Sequence, residues 1–206
     1  VIAIEVDTVL VHYLQQRFAD AIAEGRFTII EGDVLKTDLA AWGHAPIAGN
    51  LPYYITSPIV EKILSTKGVT QAVFLVQAEV ATRLAAGPGS RDYGYLSVLA
   101  QSQARVENLF PVPAAAFKPP PKVESAVVRM IPRDAEADFG LTDIRAFLRF
   151  ASVCFRQKRK TLRNNLTAAY PKEIVDTLPE GKKRAEQLGI AELAKLHQVL
   201  LERQVL

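Results

Sequence analysis

The sequence predicts an α/β fold, a mainly parallel sheet covered by helices on both faces, followed by a small all-helical domain. Three observations carry this. Short apolar runs alternate with helix-length segments through the first 110 residues. Two later runs, 104–110 and 123–131, are separated only by the proline-rich stretch 111–121, which predicts an antiparallel hairpin at one sheet edge. From about residue 141 onward every apolar periodicity is helical. A chain of 206 residues, 49% of them hydrophobic, suffices for one medium domain and one small one. Its 23% charged fraction excludes global disorder.

The elements follow in order. Residues 1–5 read as a strand buried on both faces. Asp7 or Thr8 can cap the next helix, in which Leu10, Leu14, Phe18 and Ile22 recur every four residues until Gly25. Phe27 to Ile30 is a second strand, and a third ends at Asn50. Gly49 and the prolines at 46 and 52 forbid a regular helix around Leu51-Pro52-Tyr53-Tyr54. Helix 57–66, strand 72–76, helix 78–86 and helix 94–102 follow, with Gly87-Pro88-Gly89 as a loop signal. Residues 1–134 therefore read as one domain, the polar and acidic stretch 135–140 as a linker, and 141–206 as a helical domain. In that last part Ile144, Phe147, Leu148, Ala151 and Phe155 share a stripe, and short helices are expected at 158–169, 172–178, 182–188 and 191–204.

Composition narrows the function. No uninterrupted apolar window of spanning length occurs, so no transmembrane helix is expected. The single Cys154 excludes an internal disulfide and fits a reducing compartment; it lies on the apolar helix stripe as a packing residue. His12, His44 and His197 are too scattered for a metal site. Trp42 is expected to anchor the loop before Pro46. Residues 1–110 hold 8 basic against 11 acidic side chains, whereas 111–206 hold 17 against 11. Arg156, Lys158, Arg159, Lys160 and Arg163 form the densest cationic cluster. Such a cluster is either a solvated helix face or the footprint of a polyanion.

Ligands of a parallel α/β sheet sit beyond the carboxyl ends of its strands. Glu5 and Asp7, then Asp33, then Asn50 fall at three successive strand ends. A carboxylate there can hold a ribose diol, and a second can accept from an adenine amine. The plainer reading of each acid alone is a helix cap, but three in succession favour a site. In Asn50-Leu51-Pro52-Tyr53, the amide oxygen and a backbone carbonyl can each accept a hydrogen bond from an exocyclic amine, while the aromatic ring stacks on the base. Two such acceptors favour a more nucleophilic nitrogen. Phe117, at the head of Phe117-Lys118-Pro119-Pro120-Pro121-Lys122-Val123, can face Tyr53 across a base, with Lys118 and Lys122 available to phosphates; a proline-rich edge connection with Phe117 in the core is the alternative.

On these residues the sequence resembles the ribosomal RNA adenine dimethyltransferases, of the KsgA type that acts on the small subunit. Glu5 in Ile4-Glu5-Val6-Asp7 looks like the family acid on the cofactor ribose, and Asp33 with Val34 in Gly32-Asp33-Val34-Leu35 like the adenine-reading turn. Asn50 to Pro58 resembles the catalytic loop, and Phe117 to Ser125 the late Phe-x-Pro-x-Pro-Lys-Val-x-Ser motif. Gln157 to Leu166 resembles the basic helix of the C-terminal domain, and Arg184-Ala185-Glu186 with Leu188 its later helix. The resemblance implies a Rossmann-like S-adenosylmethionine-dependent methyltransferase sheet. It implies methylation at N6 of two adjacent adenosines in the 3′-terminal hairpin of small-subunit (16S) rRNA, twice each, with a role in small-subunit biogenesis. Tyr53 and Phe117 would hold the flipped adenine, Asn50 and the Leu51 or Pro52 carbonyl its N6, and Arg156 to Arg163 the rRNA phosphates. The expected partner is the small ribosomal subunit, with no DNA and no membrane. The expected state is a cytoplasmic monomer without a metal.

The family's Gly-x-Gly-x-Gly turn does not occur in this sequence, and in the family it lies upstream of the segment that starts here at Val1. These 206 residues are therefore expected to form an incomplete sheet that binds the cofactor poorly. Three other readings stand beside the enzyme: an RNA-binding assembly factor without catalysis, a large-subunit rRNA methyltransferase, and a DNA adenine methyltransferase. The last more often carries two prolines where this chain has Leu51-Pro52.

Overall fold

A computed structural model describes residues 1–204. Six strands fall into two sheets. Strand β1 (Ile2–Glu5) pairs in parallel with β2 (Thr28–Glu31). The other sheet has the order β3 (Ala45–Asn50), β4 (Val69–Gln77), β6 (Ser125–Pro132), β5 (Ala104–Val112). β3 and β4 are parallel, and β6 runs antiparallel to both of its neighbours. The expected edge hairpin is present, but its second strand inserts beside β4 and leaves β5 on the edge. Among the described residues no ladder joins β1 to β3.

Helix α1 (Thr8–Arg17) starts as expected, with the Asp7 carboxylate accepting the N–H groups of Val9 and Leu10. The single helix expected up to Gly25 instead breaks at Phe18 and resumes as α2 (Ala19–Ala23). The four-residue apolar stripe is not a core face: Val11 is the buried residue of α1, while Leu10 and Phe18 remain exposed. Leu14 and Ile22 are half-buried and Phe18 meets Phe27, just before β2, edge-on at 5.1 Å, so the stripe is covered only in part.

Helix α3 (Thr56–Leu64) lies against the sheet through Ile59, Val60 and Ile63. Helices α4 (Ala78–Ala85) and α5 (Tyr95–Gln101) fill the connection from β4 to β5. Gln101 donates to the carbonyls of Leu84 and Ala86, satisfying orphan acceptors at the end of α4. Strand β4 alternates strictly, with Ala72, Phe74 and Val76 buried, as expected of a strand whose one face meets the core.

The segment read as a linker is helical. Asp134 caps α6 (Ala135–Phe139), and Gly140 ends it at φ +70°, where a side chain would be strained. Arg133 pairs with Asp138 and lies over Phe139, holding α6 to the sheet. Helix α7 (Ile144–Cys154) buries Phe147, Leu148, Phe150, Ala151 and Cys154. Short helices α8 (Leu162–Leu166) and α9 (Lys172–Val175), two 3₁₀ turns at Pro179–Lys182 and Ala185–Gln187, and α10 (Ile190–Gln204) complete the chain. Residues 155–161 are not helical, so Arg156, Lys158, Arg159 and Lys160 sit on a turn, and of the helix expected over 158–169 only α8, carrying Arg163, forms.

The two parts share one continuous core, running from Phe74 and Val128 of the sheet through Leu99 of α5 to Phe147 and Leu193. The loop after α4 strengthens the join. Gly89 N–H donates to the Glu186 carbonyl at 2.7 Å, and buried Tyr93 meets Phe155 edge-on at 5.8 Å. Burial, with a smaller contribution from Glu192, pushes the Tyr93 hydroxyl up to about 12.

Candidate functional site

Strand β3 delivers Asn50 to the end of the sheet, where Leu51 N–H still donates to the Leu75 carbonyl of β4 at 3.1 Å. Leu51 is thereby fixed and its side chain buried. Pro52 then turns the chain into a 3₁₀ turn, Tyr53–Ile55, that runs into α3. The Pro52 carbonyl is consumed in that turn. It accepts the Ile55 N–H at 3.1 Å and the Thr56 hydroxyl at 3.2 Å. The Leu51 carbonyl has no such partner among the described contacts, which separates the two acceptors that the sequence leaves open.

Asn50, Leu51, Pro52 and Tyr53 line one side of a pocket of about 320 Å³, and Phe117, Pro119 and Pro121 line the other. The expected pairing of the two segments is therefore present, and Phe117 is a half-buried pocket residue, not a core one. Ser125, at the start of β6, holds the Tyr53 hydroxyl at 2.8 Å and so orients the ring. Sequence reasoning places Ser125 in a motif without seeing this role, because the contact spans 72 residues. Tyr54, next in sequence, is 85% exposed and takes no part in the pocket.

The acids lie apart from this lining. Glu5 Oε1 accepts the N–H groups of Val6 and Asp7 at 2.8 and 2.9 Å. Asp33 Oδ1 accepts the Leu35 N–H at 2.9 Å. Each carboxylate is thus pinned through one oxygen, and its other oxygen has no partner among the described contacts. That arrangement suits an acid that must accept from a diol or an amine without moving. Asp7 caps α1. Lys62 of α3 donates to the Leu35 carbonyl at 3.0 Å and ties the turn carrying Asp33 and Val34 to the helix that follows the Asn50 loop, a link that no local sequence signal announces.

Lys118 and Lys122 are exposed beside the pocket, outside its lining. In the basic turn, Arg156, Arg159 and Lys160 are exposed with no ion pair among the described residues. Lys158 donates to the Arg91 carbonyl. Arg163 makes a two-pronged contact to Asp176, at 2.6 and 3.2 Å, which raises the guanidinium's already high value and lowers the carboxylate's. Asn165 shapes the turn. Its amide donates to the carbonyls of Cys154 and Gln157, and its oxygen accepts the Gln157 N–H. Cys154 is buried, and burial pushes its thiol far up, as expected of a packing residue. No group of three or more metal-binding side chains occurs among the described residues.

Residues 1–201 match the family model described as ribosomal RNA adenine dimethylase. The ribosomal RNA small subunit methyltransferase A of Acidobacterium capsulatum is 44% identical over 98% of this chain and 74% of its own length. The protein of the same name from Pseudomonas fluorescens is 40% identical over 97% and 75%. Among solved structures, a dimethyladenosine transferase from Plasmodium falciparum superposes with a TM-score of 0.78 at 26% identity, over 99% of this chain and 82% of that one.

Proposed function

The chain belongs to the ribosomal RNA adenine dimethylase family, and from that premise we propose that it methylates N6 of two adjacent adenosines in the 3′-terminal hairpin of small-subunit rRNA. The methyl donor is S-adenosylmethionine, which supplies an electrophilic methyl on a sulfonium whose leaving group departs neutral. Glu5 and Asp33, each with one oxygen held by backbone and one open, fit the ribose and adenine of that donor.

The observation that carries the reading is the pocket that sets Asn50, Leu51 and Tyr53 against Phe117. An adenine amine is a weak nucleophile because its lone pair is drawn into the ring. The Asn50 side-chain oxygen and the Leu51 carbonyl accept its two N–H groups and favour a pyramidal nitrogen, with fixed dipoles placed where positive charge develops. The Pro52 carbonyl, already doubly engaged, is left out. A base in a hairpin leaves its stack to reach this site, and Tyr53 and Phe117 replace the lost stacking on its two faces. The methylated nitrogen, now cationic, releases one proton to solvent and keeps one N–H, so one acceptor suffices in the second round. Lys118, Lys122 and the turn Arg156 to Lys160 hold phosphates and position the hairpin, while the pocket selects the base. Arg163, paired with Asp176, supports the turn.

No helix is long and apolar enough to cross a membrane among the described residues. The protein works on the small subunit in the cytoplasm as a monomer and participates in subunit biogenesis. The test is tritium transfer, at a high concentration of labelled donor because these 206 residues are expected to hold it weakly, to small subunits that lack the modification. Label is expected on adenosine N6 in the 3′ hairpin and is lost in Asn50→Ala. Undiminished turnover in that variant would overturn the assigned role. Label on large-subunit rRNA or duplex DNA, or subunit binding with no transfer, would restore the corresponding alternative.

A further inference from the structure

A second cavity, of about 590 Å³, opens between α3 and α7, away from the pocket at Asn50. Its α7 wall carries Arg145, Arg149 and Ser152, all exposed; Glu61 and Ser65 lie on the α3 side, and Leu148 is buried beneath. Neither guanidinium has an ion-pair partner among the described residues, although five other pairs form. Positions 145, 149 and 152 share one face of α7, which ends at Cys154, two residues before Arg156 of the basic turn. The opposite face of α7 buries Phe147, Phe150 and Cys154. Arg145 and Arg149 therefore line an open cleft on a helix that leads directly into the basic turn.

We propose that this cleft is a second track for the sugar-phosphate backbone of rRNA, with Arg145 and Arg149 on successive phosphates. This rests on the function proposed above. Guanidiniums one helical turn apart suit a repeating anion, whereas the hydroxyls of Ser65 and Ser152 are already given to the carbonyls of Lys62 and Arg149. Glu61 repels a second row of phosphates and confines the strand to the α7 side. The catalytic loop leads into α3 at Thr56, whereas Ser65 follows its last residue, so the cleft lies about 13 Å along the helix from that loop. The track thus takes rRNA adjoining the hairpin, not the adenosine being methylated.

The experiment measures binding of the 206-residue chain to unmethylated small subunits, and to naked small-subunit rRNA, across a salt series. Each lost phosphate contact lowers the slope of log affinity against log salt by about 0.7–0.9. The double variant Arg145→Gln/Arg149→Gln is expected to lower it by about 1.5, a loss of about 30-fold at ~0.1 M salt, for both ligands. Arg145→Lys/Arg149→Lys is expected to recover most of the affinity, which controls for folding. Arg17→Gln/Lys195→Gln removes the same charge elsewhere and is expected to leave the slope unchanged. An unchanged slope in the cleft variant overturns the proposal, and so does an equal fall in the charge control. A loss seen with subunits but not with naked rRNA also overturns it, since a protein then occupies the cleft. Absence of methyl transfer by the wild-type protein is a separate result and counts against the function, not against the track.

Discussion

Asn165 is the residue whose replacement tests the link between packing and substrate grip. It is 3% exposed and makes three hydrogen bonds: Nδ2 to the carbonyls of Cys154 at 2.8 Å and Gln157 at 3.2 Å, and Oδ1 from the Gln157 N–H at 3.1 Å. These bonds close the turn that displays Arg156, Arg159 and Lys160. A net contribution near 1 kcal/mol per bond gives about 3 kcal/mol for Asn165→Ala. For a chain of this size that is a fall in Tm of about 9 °C. Asn165→Asp keeps the acceptor but sets a buried carboxylate oxygen against the Cys154 and Gln157 carbonyls, so a loss at least as large as in Asn165→Ala is expected. Chemical denaturation gives the stability, and rRNA binding at fixed salt gives the grip, which is expected to weaken several-fold at temperatures where the variant remains folded. A variant within about 0.5 kcal/mol of wild type with unchanged rRNA affinity would refute the argument that side-chain bonds, not helix, build this turn.

Three further outcomes are expected. Ser125→Ala frees the Tyr53 hydroxyl and lets the ring swing, so turnover falls several-fold while stability changes by about 1 kcal/mol; equal kinetics in the two proteins would remove Ser125 from the site. Gly68→Ala would place a Cβ 2.6 Å from the Gly43 carbonyl oxygen at a backbone φ of +90°, and a loss above about 2 kcal/mol is expected in urea denaturation. Burial holds the His197 imidazole, packed between Phe147 and Phe150, below its ordinary value. The unfolded chain therefore takes up a proton near pH 6.5 that the folded chain resists, and stability falls as pH drops through that value. Urea midpoints measured from about pH 8 to pH 5 should show the decline, and His197→Phe should flatten it.

Local chemistry made much of the site readable. Asn50 through Tyr53 combines acceptors, a proline and an aromatic in four residues, and the Phe117 segment is stiffened by its own prolines. The acids at strand ends were visible only as a set, since each alone reads as a helix cap and Asp7 is one. What stayed hidden depends on distant contacts. The Tyr53–Ser125 bond, the Lys62 link to Leu35 and the insertion of β6 beside β4 have no local trace. The break at Phe18 escaped because the apolar period runs through it unchanged, although the backbone there leaves the helix. The basic turn escaped because the Asn165 side chain supplies hydrogen bonds that a helix would otherwise make. Helix α6 is different: Asp134 and Gly140 are capping signals, outweighed in the reading by the polar composition between them.

The unbroken core between sheet and C-terminal helices has a consequence for how a target is chosen. With Phe74, Leu99, Phe147 and Leu193 in one packed body, the cationic turn and the pocket at Asn50 stand a fixed distance apart, and under the function proposed above they act as the two jaws of a calliper. Selection then becomes a matter of length: a hairpin is accepted when its phosphates and its adenosines stand the right distance apart. Lengthening the stem by one base pair would leave every contact chemically available and yet carry the adenosines past the pocket.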